Sequence, residues 1–173
     1  TMYEYFAERF RLGQPTGIEL SSEAAGSIVA PSQPTGNEVR YSNMSFGQGM
    51  EATMLQVAAG FGALVNGGSF YKPTIIDGYI TENGFEQIAE ADPVEKGLVK
   101  PSTSNEIRRV LTEARRAGFP GVDRSGYNIG GKTGTSQVIV DGEYSSTQTT
   151  ASYIGYGGAD TPEYVIMVQV SGK

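Results

Sequence analysis

The stretch Gly130-Gly131-Lys132-Thr133-Gly134-Thr135-Ser136 concentrates groups that can bind an anion or take part in acyl transfer. It offers one ammonium, three hydroxyls and glycines that let a ligand approach the backbone closely. Cysteine and histidine are both absent from the 173 residues. This excludes a disulfide framework, a Cys/His zinc site and a Ser-His or Cys-His nucleophile pair. Catalysis by this chain must therefore use hydroxyls, lysines, carboxylates or backbone amides.

Two kinds of site fit this stretch. Gly126, followed after four residues by Gly131-Lys132-Thr133, satisfies the phosphate-loop pattern. A phosphate loop needs a buried strand before it and a helix after it. The preceding residues 119–126 are typical of turns, whereas Gln137–Val140 and Asp141-Gly142 predict a strand and a hairpin turn. The flanking residues therefore favour Lys132-Thr133-Gly134 as the Lys-Thr-Gly strand of serine acyl-transferases that act on D-alanyl peptides and β-lactams.

Composition excludes several other classes of protein. Thirteen Lys and Arg against nineteen Asp and Glu give a net charge of −6, which argues against nucleic-acid binding. No apolar run approaches the ~20 residues that cross a bilayer, so we expect no membrane contact from this segment. The absence of cysteine fits an oxidising compartment.

Three segments have the apolar spacing of helices. They are residues 2–10, residues 54–65 and residues 105–117. Thr53 and Gln56 form a capping-box pattern for the second, and Asn66-Gly67-Gly68 predicts a left-handed exit from it. Thr103 and Glu106 are expected to cap the third helix, and its two arginine pairs to form a solvated face. Those pairs are Arg108-Arg109 and Arg115-Arg116. Residues 21–49 show no clear period.

Strands are predicted towards the C-terminus, over 127–140, 142–146, 151–157 and 163–170. Both faces of the last strand are largely apolar, which predicts a central strand covered on both sides. A small hairpin is expected over 74–88, about Asn83-Gly84. We expect Tyr153 and Tyr156 to pack within the sheet. The order of helices followed by antiparallel strands predicts an α+β fold.

The segments around the Lys-Thr-Gly motif resemble the C-terminal part of the transpeptidase domain of class B, high-molecular-weight penicillin-binding proteins. The resemblance covers nearly the whole chain and lies in four segments in family order. These are Phe10-Arg-Leu-Gly-Gln-Pro-Thr-Gly-Ile18, Ser45-Phe-Gly-Gln-Gly49, Thr53-Met-Leu-Gln56, and Asn66-Gly-Gly68 through Tyr71-Lys72-Pro73. Met54 replaces the family's usual proline.

The resemblance implies a penicillin-binding transpeptidase or serine β-lactamase-like fold. Residues 1–126 would form a mainly helical part with long loops, and residues 127–173 the sheet part. Lys132 would place positive charge beside the substrate carboxylate, and the hydroxyls of Thr133 and Thr135 would bind that carboxylate. The Thr135 backbone N–H would be one of two oxyanion-hole donors. Gly134 and Ser136 complete the expected site, with no cofactor and no metal.

The family's nucleophilic serine lies in an SxxK motif, followed by an SxN motif, and both are upstream of the segment at Phe10. We therefore expect the nucleophile to lie outside these residues, and the family's final helix to follow Lys173. Ser69-Phe-Tyr-Lys72 fits SxxK, but Gly67-Gly68 before it and Pro73 after it exclude a helix that could align the two side chains. Thr103-Ser104-Asn105 is close to SxN but opens a helix.

The resemblance implies that the intact protein is an extracytoplasmic D,D-transpeptidase that cross-links peptidoglycan stem peptides ending in D-Ala-D-Ala. It would bind β-lactams, contact other cell-wall synthesis or division proteins, and be anchored by an N-terminal transmembrane helix. The 173 residues alone would be inactive. Two other classes stay open: a β-lactamase or β-lactam sensor of the same fold, and a non-catalytic interaction domain.

Overall fold

The structure, a computed structural model, describes residues 1–89, 91–140 and 143–172. The described helices are a π-helix (Glu4–Arg9), α1 (Glu38–Met44), α2 (Met54–Val65), α3 (Pro101–Gly118) and a short 3-10 turn (Pro120–Val122). The described strands are β1 (Gly78–Thr81), β2 (Gly84–Gln87), β3 (Asn128–Val140), β4 (Glu143–Gly158) and β5 (Tyr164–Gly172). The α+β class predicted from the sequence is confirmed.

The larger sheet contains β3, β4 and β5 in that order, all antiparallel. Lys132 in β3 pairs with Ile154 in β4, which pairs with Met167 in β5. The described part of the predicted strand 142–146 is the beginning of the long strand β4, and the β3–β4 register shifts after Gln137. The predicted turn at Asp141-Gly142 lies outside the described residues.

Among the described residues the last strand is not central, contrary to the prediction. β5 lies at an edge of the described sheet, because it pairs with β4 alone. β5 contacts α2, and Val165 and Met167 on one of its faces are half-buried. The residues of its other face are 52–65% exposed, namely Tyr164, Ile166, Val168 and Val170. Alternation of apolar residues predicts which side chains share a face, but not what covers that face.

The helices begin where local capping chemistry allows. The predicted capping box is present at α2, where the Thr53 hydroxyl accepts from the Gln56 N–H and the Gln56 side chain accepts from the Thr53 N–H. The predicted cap of α3 is wrong. This helix begins at Pro101, because proline's fixed φ suits the first helical position, so Thr103 and Glu106 lie inside the first turns.

Helix α1 lies within the segment for which the sequence showed no period. Its signal is Asn37, whose side chain accepts a hydrogen bond from the Arg40 N–H at 3.0 Å. A helix of seven residues is too short for its apolar spacing to stand out.

The apolar core of the helical part lies at the C-terminal half of α2. Ala63, Phe70 and Leu98 form a buried cluster against which Phe10 and Ala59 pack. The exit from α2 is left-handed as predicted, with φ of 98° and 100° at Gly67-Gly68. This exit turns the chain back so that Phe70 reaches the core.

The small hairpin predicted from the sequence is present as β1 and β2. Thr81 pairs with Gly84, so the two turn residues are Glu82 and Asn83, one position earlier than predicted. Gly84 has a φ of 113° and is the first residue of β2, where the chain needs glycine's positive φ. None of the helices in the described ranges is both long enough and apolar enough to cross a membrane.

Candidate active site

The Lys-Thr-Gly motif lies in the middle of β3, as the strand interpretation requires. β3 pairs with β4 on one side, and its other edge pairs with no strand among the residues that the structure describes. The Lys132 side chain is exposed, and its Nζ lies 2.9 Å from the Thr133 carbonyl oxygen and 3.5 Å from the Thr133 hydroxyl. The Lys132 side chain therefore lies along the strand, and its ammonium is next to the Thr133 hydroxyl.

The remaining motif residues are arranged by the two-residue period of the strand. Thr133 and Thr135 lie on one face, and both are exposed. Gly134 pairs with Ser152, whose hydroxyl would lie 2.8 Å from any Cβ added at Gly134. Ser136 is exposed at the end of the motif and lines a cavity described below. An ammonium and two hydroxyls at an exposed strand edge can bind a carboxylate.

Two tyrosines of β4 cover the two glycines that precede Lys132. A Cβ added at Gly130 would lie 2.5 Å from the Tyr156 ring, and one added at Gly131 would collide with the Tyr153 hydroxyl. The Tyr156 hydroxyl is held in place by the Arg108 carbonyl and the Thr112 hydroxyl, each 3.0 Å away. Glycine is therefore required at both positions, and the tyrosines pack within the sheet as predicted.

A buried arginine holds the beginning of β3. The Arg115 side chain is only 1% exposed and lies 2.5 Å from the Asp123 carboxylate. Its Nε and Nη2 donate to the Ile129 carbonyl oxygen at 3.3 and 3.2 Å. Ile129 is three residues before Lys132. The prediction of a solvated Arg115 is therefore wrong: this side chain turns inward, whereas the neighbouring Arg116 is 60% exposed.

Charge and burial set the protonation of two groups near this clamp. The hydrogen bond from Arg115, together with its charge, holds the pKa of Asp123 below its ordinary value, so this carboxylate is ionised at neutral pH. Burial raises the pKa of the Tyr153 phenol, which stays protonated and packs edge-on against Phe119 with ring centroids 6.0 Å apart. The site thus has a fixed ion pair at one end of the motif and a neutral aromatic wall beside it.

Two cavities flank the motif along β3. One of about 300 Å³ lies between the end of α3 and the motif, and Phe119, Tyr153, Lys132 and Thr133 are among its lining residues. The other, of about 420 Å³, lies beyond Thr135, where Ser136 and Gln137 face the loop 47–51. The motif therefore runs from one cavity to the other.

A buried glutamine joins two of the segments that carry the family resemblance. Gln56 is 2% exposed, and its Nε2 donates to the carbonyl oxygens of Gln14 and Ala25 at 2.6 and 2.8 Å. Its Oε1 accepts from the Gly13 N–H at 3.0 Å. The sequence pattern identified Gln56 only as a capping residue. The structure shows that it also fixes the segment 13–25 against α2.

The two look-alike motifs have structural roles. Ser69 and Lys72 lie outside any helix, as predicted, and Lys72 pairs with Glu19 at 3.5 Å; within the described ranges no hydrogen bond joins Ser69 to Lys72. Ser104 is fully buried within α3, and its hydroxyl accepts from the Gly67 N–H at 3.0 Å. Among the described residues, no hydrogen bond joins the hydroxyl of either serine to a lysine or a carboxylate side chain.

Comparison with known proteins places these features in one family. The family described as penicillin binding protein transpeptidase domain matches residues 1–173. This chain belongs to that family. Stage V sporulation protein D of Bacillus subtilis is 34% identical over 171 residues, which are 98% of this chain and 26% of that protein. The probable peptidoglycan D,D-transpeptidase PenA of Neisseria gonorrhoeae is 30% identical over 134 residues, covering 76% of this chain and 21% of PenA.

The fold is also that of solved penicillin-binding proteins. The crystal structure of penicillin binding protein 3 from Mycobacterium tuberculosis, complexed with ampicillin, matches with a TM-score of 0.82 and 30% identity. The match covers 98% of this chain and 39% of that one. The chain spans about a quarter of the length of the curated relatives it matches. The family and the fold predicted from the sequence are therefore confirmed.

Proposed function

We propose that the longer protein to which this chain belongs is a D,D-transpeptidase that cross-links peptidoglycan stem peptides through an acyl-serine intermediate. The observation that carries this proposal is Lys132 beside Thr133, with Thr135 two residues on, at an exposed strand edge in a chain of the transpeptidase family. Penicillin binding and an extracytoplasmic location follow from the same reaction. In this proposal the longer protein also carries the transmembrane anchor and makes the contacts with other cell-wall synthesis proteins.

Residues 1–173 supply one wall of the site in this proposal. Lys132 provides positive charge next to the substrate's terminal carboxylate, and Thr133 and Thr135 donate hydroxyl hydrogen bonds to it. The Lys132 ammonium is available to the substrate carboxylate because it forms no ion pair within the described ranges. Gly134 and Ser136 continue the edge along which an extended peptide lies as an added strand.

The reaction needs a serine from outside these residues. Its oxygen bonds to the carbonyl carbon of the penultimate D-alanine, the C–N bond to the terminal D-alanine breaks, and the leaving amine takes the proton of the serine hydroxyl. An amine of a second peptide then attacks the ester carbonyl carbon, the C–O bond to the serine breaks, and the proton that the amine loses returns to the serine oxygen. The tetrahedral intermediates carry negative charge, and the Thr135 backbone N–H is proposed as one of the two donors that stabilise it.

Labelling with fluorescent penicillin tests this proposal in the full-length protein. We expect stoichiometric label that is lost when the upstream serine is replaced, and label that forms about 10²-fold more slowly in Lys132→Met. A full-length protein that never acylates would favour a non-catalytic interaction domain. Rapid hydrolysis of the label would favour a β-lactamase.

The 173 residues alone should form no penicilloyl adduct. An acyl-enzyme requires a nucleophile with an adjacent base, and Lys72 pairs with Glu19 rather than with Ser69. Intact-mass spectrometry after incubation with a β-lactam measures this. A stoichiometric mass increase that Ser69→Ala abolishes would show that Ser69 is a nucleophile after all.

A further inference from the structure

The small hairpin formed by β1 and β2 stands apart from the other elements. Within residues 1–89, 91–140 and 143–172 it contacts no other helix or strand. Both of its ends are anchored. Before it, the Glu19 carboxylate accepts from the Thr74 hydroxyl and the Ile75 N–H at 3.1 and 3.2 Å. After it, the Val94 N–H donates to the Phe70 carbonyl oxygen at 2.8 Å. The small hairpin is therefore held at its base, while no other described element covers it.

One face of the small hairpin is apolar and open. Ile80 and Phe85 are paired directly across the two strands, so their side chains share this face. Ile80 is 90% exposed and Phe85 is 61% exposed. The Phe85 ring lies over Gly78, since a Cβ added at Gly78 would be 2.5 Å from it. A hairpin of two strands is only marginally stable in water unless its apolar face packs against something such as a helix. This face is therefore suited to binding a partner.

The surroundings of the apolar face are acidic. Between Lys72 and Lys96 the chain contains six acidic residues and no basic one. Asp77 directly precedes β1 and Glu82 lies in the turn, so a carboxylate is present at each end of the strand that carries Ile80. Asp77 and Glu82 are exposed, and neither forms an ion pair with another described residue. A partner that fits this surface must bring positive charge to both ends of the apolar face.

These charges determine which kind of partner fits. A second copy of the small hairpin, or an anionic lipid surface, would bring negative charge against Asp77 and Glu82. The two acidic residues are five positions apart, about 17 Å along the strand, which is the length of about three turns of a helix. We propose that the small hairpin binds a basic amphipathic helix of another protein. The helix packs its apolar side chains on the Ile80–Phe85 pair, and its lysines or arginines, about three turns apart, pair with Asp77 and Glu82.

The binding of two synthetic helical peptides to the full-length protein tests this inference. Both peptides carry a stripe of leucines; one has lysines about three turns apart beside the stripe, and the other has glutamates at the same positions. Fluorescence anisotropy should show that the lysine peptide binds and the glutamate peptide does not. Ile80→Ser should weaken binding of the lysine peptide about tenfold because it removes an apolar contact. Glu82→Lys should weaken it about tenfold because like charges then face each other.

Two matched control variants lie elsewhere on the surface. Val39 is 70% exposed in α1, and Asp160 is exposed in the turn between β4 and β5. Val39→Ser and Asp160→Lys should leave binding of the lysine peptide within about twofold. All four variants should be acylated by benzylpenicillin at the rate of the unmodified protein, because none of them lies at the Lys-Thr-Gly motif. A protein that benzylpenicillin never acylates would overturn the transpeptidase proposal and leave this inference intact.

Several outcomes would overturn the inference. They are no binding of the lysine peptide, equal binding of the two peptides, and losses in the control variants as large as those in Ile80→Ser. Hydrogen exchange in the full-length protein adds a further measurement: the amides of residues 78–87 should gain protection when the lysine peptide binds. Slow exchange before any peptide is added would show that another part of the protein covers the small hairpin. Binding to phosphatidylglycerol vesicles that Ile80→Ser abolishes would assign the apolar face to a membrane instead.

Discussion

Replacing Arg115 with methionine should release the beginning of β3 and misplace the motif three residues later. Methionine fills a similar volume but donates no hydrogen bond. The Ile129 carbonyl oxygen then loses both of its guanidinium donors, which lie at 3.2 and 3.3 Å. A partly buried carbonyl left without a partner costs about 1–3 kcal/mol. The Phe119 carbonyl, 3.5 Å from Nη1, adds little because that distance is at the limit of a hydrogen bond.

The loss of the ion pair itself should matter less. Asp123 is 50% exposed, so water can solvate its carboxylate once Arg115 is gone. Removing the buried guanidinium also removes its desolvation penalty. We therefore expect a total loss of about 2 kcal/mol in the free energy of unfolding, nearly all of it from the Ile129 carbonyl.

Thermal and urea unfolding measure this loss, and acylation by fluorescent penicillin in the full-length protein measures the displacement of Lys132. Arg116→Met is the matched control. Arg116 is 60% exposed and approaches Asp123 only at 3.5 Å, so its replacement should change stability by less than about 0.5 kcal/mol. Equal effects of the two substitutions, or an unchanged acylation rate in a destabilised Arg115→Met, would refute the assignment of Arg115 as the residue that positions β3.

Three further substitutions or conditions test the packing around the site. Gly130→Ala should lower the free energy of unfolding, measured by urea titration, by about 1–3 kcal/mol because the Tyr156 ring cannot move away. The control Gly121→Ala has open space around it and should change the free energy of unfolding by less than about 0.5 kcal/mol. Gln56→Ala should cost about 3 kcal/mol or more by the same titration, because four backbone groups lose their partner. Because the pKa of Asp123 is lowered in the folded protein, its contribution to stability should be fully present above its ordinary pKa of 3.8 and be lost as the pH falls towards the lower folded pKa. Melting curves of Asp123→Asn should lack this pH-dependent contribution.

The sheet and the motif could be predicted because both depend on local patterns. Short turns join strands whose apolar residues alternate, and this is sufficient to make 127–140, 151–157 and 163–170 neighbours. Residues Gln137–Val140 predict a strand after Lys132, and a phosphate loop would need a helix there, so the phosphate-loop pattern could be rejected. The placement of β5 could not be predicted, since Ile166 and Val168 are apolar whether or not another element covers them.

The contacts that fix the site follow a different rule. Arg40 bonds to the Gly49 carbonyl, Arg115 to the Ile129 carbonyl, and Gln56 to the Gln14 and Ala25 carbonyls. In each case a long polar side chain reaches a main-chain oxygen. Every residue has such an oxygen, so the partner's residue type gives no signal in the sequence.

This rule explains why the sequence of α3 gave the same prediction, a solvated side chain, for both Arg115 and Arg116. The two arginines are adjacent, and nothing in their type distinguishes them. They differ because the chain after α3 turns through Pro120–Val122 and brings Asp123 and the Ile129 carbonyl to the side of the helix that Arg115 faces. Asp123 contacts both arginines, so the negative charge alone does not choose between them. The Ile129 carbonyl of β3 distinguishes them, because only Arg115 donates to it. The strand that carries the Lys-Thr-Gly motif therefore helps to bury the arginine that holds this strand in place.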